Sequence, residues 1–279
     1  LRMSNIGYQS PIQTSLGIRY NSLDGFIESV KKGIKMSHED FNSLGLFDDE
    51  GKRQQISDGI IQIENELYDT IRPKRTSSEG LRPANALKKH GIEYVEIRGV
   101  DISPNALGGI SKDHMHFLDL FLIHCFTTKS SELTDSENMR LQKNHTDMVA
   151  SGQNNSTVIF YKGKEISCGE AMADLINELS LLAKTLDGDT KIYSNALKAV
   201  TTDKYQSATI LSSINENKNF HAIALAKSIQ NTQELRQNKS LDLNYLKLES
   251  EESLKRFEEI ENKPQKNIEA YVKQYNSQI

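Results

Sequence analysis

Gly91-Ile92-Glu93-Tyr94-Val95-Glu96-Ile97-Arg98-Gly99-Val100-Asp101 is the stretch on which the reading of the fold turns. Ile92, Tyr94, Glu96 and Arg98 fall on one side of an extended chain and Glu93, Val95 and Ile97 on the other, the alternation of a β-strand. A carboxylate and a guanidinium two residues apart therefore face the same way. Buried charge has to be paired or has to hold something, so the spacing leaves two readings open. In one, Glu96 and Arg98 form an ion pair or lie on a solvent-facing strand edge. In the other, Arg98 binds phosphate oxygens as a fork, and Glu96 helps to hold a Mg²⁺ that bridges them.

Upstream, Ile60-Ile61-Gln62-Ile63-Glu64-Asn65-Glu66-Leu67-Tyr68 alternates in part and predicts a second strand. It leads into Ile71-Arg72-Pro73-Lys74-Arg75, three cations in five residues, with Pro73 marking an end or an edge of regular pairing. Acids followed by bases suit a metal–nucleotide neighbourhood, although three clustered cations more often make a solvated surface. Leu23 to Lys35 has the apolar spacing of an amphipathic helix. Ser37-His38-Glu39-Asp40 predicts a short helical turn capped by Ser37, and Asp48-Asp49-Glu50-Gly51 a turn. Pro83 to His90 is a short helix with Gly91 as its stop. Downstream, Lys112 to Thr128 is apolar on most sides, as for a core helix packed on a sheet.

Beyond that point the texture changes. Helical spacing recurs in Glu170–Thr185, Lys191–Val200, Lys204–Ser213, Phe220–Gln237 and Leu241–Glu261, with a further helical piece in Pro264–Gln274. Gly152 to Cys168 reads as a short strand or hairpin. The fold class expected is α+β: a sheet domain over residues 1–127, then a mostly helical region over 128–279.

Composition narrows the function. With 37% hydrophobic residues in 279 there is material for a core. A net charge of -4 argues against a general nucleic-acid binder, which needs a basic face. The apolar run Phe117–Phe126 is short and broken by Asp119 and His124, so no bilayer span is expected. Cys125 and Cys168 form no CxxC pattern and read as free thiols of a reducing compartment. With no signal peptide in sight, cytoplasmic location is the default. His114-x-His116 sits at a helix start, where side chains two apart diverge by about 200°, so no zinc site is expected. There is no GxxxxGK[ST] and no GxGxxG, so any ATP site is built without a P-loop. The chain opens on Leu1, from which we expect a piece of a longer protein.

Five segments together resemble one family: Leu1-Arg2-Met3-Ser4-Asn5-Ile6-Gly7-Tyr8, Gln62–Tyr68, Ile71–Arg75, Gly91–Pro104 and Phe117-Leu118-Asp119-Leu120-Phe121. In order and spacing they are similar to the proteobacterial-type glutamate–cysteine ligases, with strong similarity over about residues 1–126. The resemblance implies that ATP phosphorylates the γ-carboxylate of glutamate, that the cysteine amine attacks the acyl phosphate, and that γ-glutamylcysteine, the first product of glutathione synthesis, results. It implies small-molecule substrates (glutamate, cysteine, ATP), Mg²⁺ or Mn²⁺ as cofactor, a monomer, and a glutamine-synthetase-like, mainly antiparallel curved sheet. Residue by residue, it implies Glu96 as a metal ligand and Arg98 as the catalytic arginine on the transferring phosphoryl group. Lys74 and Arg75 fall in a nucleotide-site motif, and Arg2, Tyr8 and Tyr68 near the amino-acid substrates. The family's other metal carboxylates, a metal-binding histidine and its glutamate-binding residues lie upstream of the position matching Leu1. The chain alone is therefore expected to be inactive and aggregation-prone. A weakly nucleotide-binding remnant, or a helical interaction module, are the competing readings.

Overall fold

A computed structural model describes residues 3, 7–8, 10–76, 80–152, 154–201, 219–238, 242–264 and 267–279. The fold is α+β, and the chain divides into two compact units, Leu1–Val100 with Glu249–Ile279, and Asp101–Leu248. The division at 100/101 differs from the sequence boundary at 127/128. The reason is packing: the helix Lys112–Thr127 buries its apolar side against later helices of its own unit. Among the described residues, no helix is long and apolar enough to cross a membrane.

The first unit is built on α1 (Pro11–Thr14), α2 (Leu23–Lys35), α3 (Glu39–Leu44), β1 (Ile71–Lys74), α4 (Pro83–His90) and β2 (Tyr94–Ile97). α2 begins at Ser22, whose hydroxyl accepts from Gly25 N–H, and turns Phe26, Ile27, Val30 and Ile34 inward. They pack with Leu16, Ile60, Ile61, Leu67, Ala84 and Leu87 into one core. α3 is capped by His38 Nδ1, which accepts from Asp40 N–H, and not by Ser37, whose hydroxyl donates to Asp58 instead. α4 has Pro83 at its first turn and ends at Gly91, whose φ of 73° favours glycine.

The strand expected over Ile60–Tyr68 is not one. Ile60 N–H and Ile61 N–H donate to the carbonyls of Met36 and Gly33 at the end of α2. That approach requires Gly59, where a Cβ would lie 2.1 Å from the Ile34 carbonyl oxygen. Residues Glu64–Glu66 then form a single 3₁₀ turn. Its surrounding carbonyls are met by side chains: Arg82 Nη2 donates to Gln62 O, Arg72 Nη1 to Glu64 O, Asn65 O and Leu67 O, and Gln13 Nε2 to Glu66 O. The alternation that looked like a strand is a core-facing loop nailed down by two arginines.

β2 is also shorter than the stretch that predicted it. β1 and β2 pair antiparallel, with Arg72 opposite Glu96 and Lys74 opposite Tyr94 on one face, and Ile71 opposite Ile97 and Pro73 opposite Val95 on the other. Pro73 thus sits inside a short strand and not at its end, and that strand is an edge of a two-stranded sheet, the other expected place for a proline. The last helix of this unit, α11 (Ile268–Asn276), places Tyr275 under the Arg82 guanidinium, 4.2 Å from the ring centre.

The second unit holds α5 (Lys112–Thr127), α6 (Asp135–Ser151), the hairpin β3 (Val158–Tyr161) and β4 (Lys164–Ser167), α7 (Cys168–Asp187), α8 (Ile192–Thr201) and α9 (Phe220–Gln237). α10 (Leu243–Glu261) crosses the division between the units. α5 buries Leu120 against Leu179 and Ala183 of α7 and Leu197 of α8, so its partners are helices and not the expected sheet. The hairpin predicted within 152–168 is present, joined by the turn Lys162-Gly163. α6 was not foreseen, and the helix expected over Lys204–Ser213 lies outside the described residues. α7 and α8 are locked by buried Asp187, whose carboxylate accepts from Tyr193 N–H and Ser194 N–H at 2.6 and 3.0 Å.

Two outcomes follow from these buried charges. Arg82 and Glu64 are 1% and 8% exposed and meet at 3.1 Å. Glu64→Leu leaves the guanidinium uncompensated and is expected to cost about 3–5 kcal/mol in urea unfolding, and a loss under about 1 kcal/mol contradicts the role assigned to the pair. At Asp187, burial opposes ionisation, but the hydrogen bonds from Ser194 and Tyr193 prevail and hold the carboxyl below the ordinary aspartate value of 3.8. A depressed carboxyl adds stability above that pH and loses it as the pH falls through the folded value. The acid limb of a thermal stability curve is therefore expected to flatten in Asp187→Asn; an unchanged limb refutes the assignment.

Candidate phosphate site on the β1–β2 ribbon

Antiparallel register brings the charged residues together. Arg72 and Lys74 on β1 and Tyr94 and Glu96 on β2 share one face of the ribbon. Arg98 follows just beyond β2, tied to the pairing by its N–H, which donates to Thr70 O at 2.7 Å. Glu96 Oε2 accepts from Arg72 Nη2 at 2.7 Å and Nε at 3.2 Å, with Lys74 Nζ 4.0 Å away. The Glu96 side chain remains 35% exposed. Its carboxyl lies below the ordinary glutamate value, chiefly through the Arg72 hydrogen bond and with help from the charges of Arg72, Lys74 and Arg98. Burial and then the charge of Arg72 push Lys74 below the ordinary lysine value, against the pull of Glu96.

The three cations of Ile71–Arg75 are not equivalent. Arg72 is buried, and its donors go to Glu96 and to three backbone carbonyls. Lys74 faces the cluster. Arg75 turns away: Nε donates to Gly91 O at 2.9 Å, Nη2 donates to His90 O, and Nη1 lies 3.8 Å from Glu93. Of the two residues expected at the nucleotide, the structure brings only Lys74 to Glu96 and Arg98. Arg98 differs from Arg72, since among the described residues no hydrogen bond engages its guanidinium, which lies 6.0 Å from the centre of the Tyr68 ring.

Tyr68 leads on to the expected substrate residues. Its N–H donates to Gln13 Oε1 at 2.7 Å, and its ring meets that of Tyr8 edge-on at 4.8 Å. Its phenolic oxygen is buried and has no hydrogen-bond partner among the described residues. A buried hydroxyl left unmatched is costly, and a ligand atom there would match it. Tyr8 is 66% exposed. Arg2 lies outside the described residues. Tyr8, Tyr68, Arg98, Glu96 and Lys74 thus form one continuous neighbourhood. Sequence reasoning missed Gln13, Arg82 and the distinct position of Arg72, for which neither charge nor spacing gave a signal.

Three cations around one carboxylate make a face suited to anions. Among the described residues, no group of three or more His, Cys, Asp and Glu could hold a metal ion. A magnesium bound to nucleotide needs less, because one or two carboxylates and the phosphates themselves suffice alongside water. Glu96 Oε1, which takes part in none of the contacts above, fits that part as a single ligand.

Residues 1–148 match the family model described as glutamate-cysteine ligase. A glutamate–cysteine ligase of Shewanella oneidensis is 36% identical over 197 residues, which is 71% of this chain and 38% of that protein. That of Saccharophagus degradans is 31% identical across 100% of this chain and 54% of its own length. A crystal structure of glutamate–cysteine ligase (gshA) from Francisella tularensis in complex with AMP matches with a TM-score of 0.86 at 27% identity, over 99% of this chain and 56% of that one. The chain thus spans about half, or less, of the length of these relatives. On the match across its first 148 residues, it belongs to the glutamate–cysteine ligase family.

Proposed function

We propose that the β1–β2 ribbon grips the triphosphate of ATP in a ligase that joins the γ-carboxyl of L-glutamate to the amine of L-cysteine. The observation that carries this reading is the contrast between two neighbouring guanidiniums. Arg72 is held by the protein, whereas no hydrogen bond among the described residues engages Arg98. A fork-shaped cation left available beside Lys74 suits phosphate oxygens.

In the proposed reaction, a γ-carboxylate oxygen of glutamate attacks the γ-phosphorus of ATP, and ADP leaves. The cysteine amine then attacks the acyl carbon and loses a proton as phosphate departs, leaving γ-glutamylcysteine. Arg98 holds the transferring phosphoryl group, where charge develops. Lys74 adds a second positive charge. A bound Mg²⁺ or Mn²⁺ would neutralise phosphate charge, with Glu96 as one of its ligands. Tyr68, with its unmatched hydroxyl, and Tyr8 against it line the cysteine side, and Arg2 belongs with them by position in the motif. Arg75 supports the ribbon from its other side.

The ribbon belongs, on this reading, to a larger glutamine-synthetase-like curved sheet. Two strands alone are marginal, and Tyr94 and Val95, on opposite faces, are 48% and 44% exposed. The remaining length of the family would supply further strands, the other metal ligands and the glutamate site. The whole enzyme would act on small molecules as a monomer in the cytoplasm.

Calorimetric titration of the chain with Mg-ATP is the test. Binding is expected, and Arg98→Ala is expected to weaken it by about 2 kcal/mol, a few tens of fold, as for a charge-assisted contact to phosphate. Absence of binding, or equal affinity in the variant, contradicts the proposal.

A further inference from the structure

We infer that Arg72 is a positioning residue which couples the metal-side carboxylate of Glu96 to the substrate-side turn bearing Tyr68; the inference rests on the ligase reading of that site. The guanidinium is buried between them. Nε and Nη2 both reach Glu96 Oε2, at 3.2 and 2.7 Å. Nη1 reaches the carbonyls of Leu67, Asn65 and Glu64 at 2.9, 3.1 and 3.4 Å. Leu67 immediately precedes Tyr68, so one planar group fixes both the carboxylate and the backbone that aims the phenol.

Geometry makes this a task for arginine. Its donors point in fixed directions within one plane, so its two ends hold their acceptors at a set separation. A lysine carries the same charge on one nitrogen and cannot span both sets. Among the described residues, each of the three guanidinium nitrogens of buried Arg72 donates to a protein acceptor, unlike those of Arg98. By taking one oxygen of Glu96 it also restricts how the carboxylate can turn, and leaves the other oxygen, Oε1, out of these bonds. Partners of this kind behind a metal ligand set its orientation and affinity.

The test uses the full chain with ¹³C-labelled tyrosine, as wild type, Arg72→Lys and Glu96→Gln. Thermal melts, ring resonances, and ATP titrations with and without Mg²⁺ are compared. Arg72→Lys is expected to melt cooperatively and to shift the Tyr68 ring resonances. It should reduce the gain in ATP affinity conferred by Mg²⁺ about tenfold, the scale of a lost partner behind a ligand, while Mg²⁺-free affinity is unchanged. Glu96→Gln removes the negative charge at the far end, which weakens the bonds that Arg72 donates to it, and is expected to shift the Tyr68 ring through Arg72. If Arg72→Lys leaves the Tyr68 resonances in place, or weakens Mg²⁺-free ATP binding as Arg98→Ala does, the inference is overturned. Should Arg72→Lys not fold, Glu96→Gln decides, and unmoved Tyr68 resonances overturn it. Wild type that binds no ATP would sink the ligase reading, yet the ring resonances would still decide whether Arg72 couples the two ends.

Discussion

A buried guanidinium needs an acceptor for nearly every N–H it carries, and that demand organises the first unit. Arg72 and Arg82 each sit inside the protein, 5% and 1% exposed. Between them they hold the carbonyls of Gln62, Glu64, Asn65 and Leu67 and the carboxylates of Glu64 and Glu96. A segment whose backbone would otherwise need a neighbouring strand is held by side chains instead. The two arginines also tie this segment to separate parts of the unit, Arg72 to the ribbon and Arg82 to α11, where Tyr275 and Asn276 receive it. Buried ion pairs seldom add net stability over apolar packing, but they tolerate few alternative arrangements. Here that intolerance fixes where Tyr68 and Glu96 stand.

The charge inventory of the site follows from this arrangement. Arg72 neutralises one oxygen of Glu96 and leaves Lys74 and Arg98 as surplus positive charge on an accessible face. A surplus of that sign attracts a polyphosphate before any cation is considered, and the phosphate then supplies most of what a magnesium ion needs. Glu96 thus shapes the electrostatics of the ribbon, with one oxygen taken by Arg72 and Lys74 close by.

Much of the local structure was legible in the sequence. α2 and α4 have the predicted bounds, because apolar spacing, Pro83 at a first turn and Gly91 at a stop each have one dominant physical meaning. α6 was overlooked although Thr134 and Glu137 form a capping box, since its apolar positions are sparse. Ile61 and Leu67 in the Ile60–Tyr68 segment are buried, but its partial alternation misled as to what satisfies the backbone. Periodicity reports which side chains face inward and is silent on who receives the carbonyls. Lys74 and Arg75 are neighbours and fall on opposite sides of an extended chain, but their partners were not legible: Lys74 lies near Glu96, and Arg75 donates to the carbonyls at the end of α4. The alternation that set Tyr94 and Glu96 on one face was legible, because side-chain alternation along a strand is the most direct inference a sequence permits.

The central claim is that Arg98 is available to an anion while Arg72 is held by the protein. A crystal structure of the chain with a non-hydrolysable ATP analogue and Mn²⁺ tests it most directly. The account predicts terminal phosphate oxygens within hydrogen-bond distance of the Arg98 guanidinium, with the Arg72 bonds to Glu96 and Leu67 unchanged. Phosphate seated on Arg72, or nucleotide bound away from the ribbon, would contradict it.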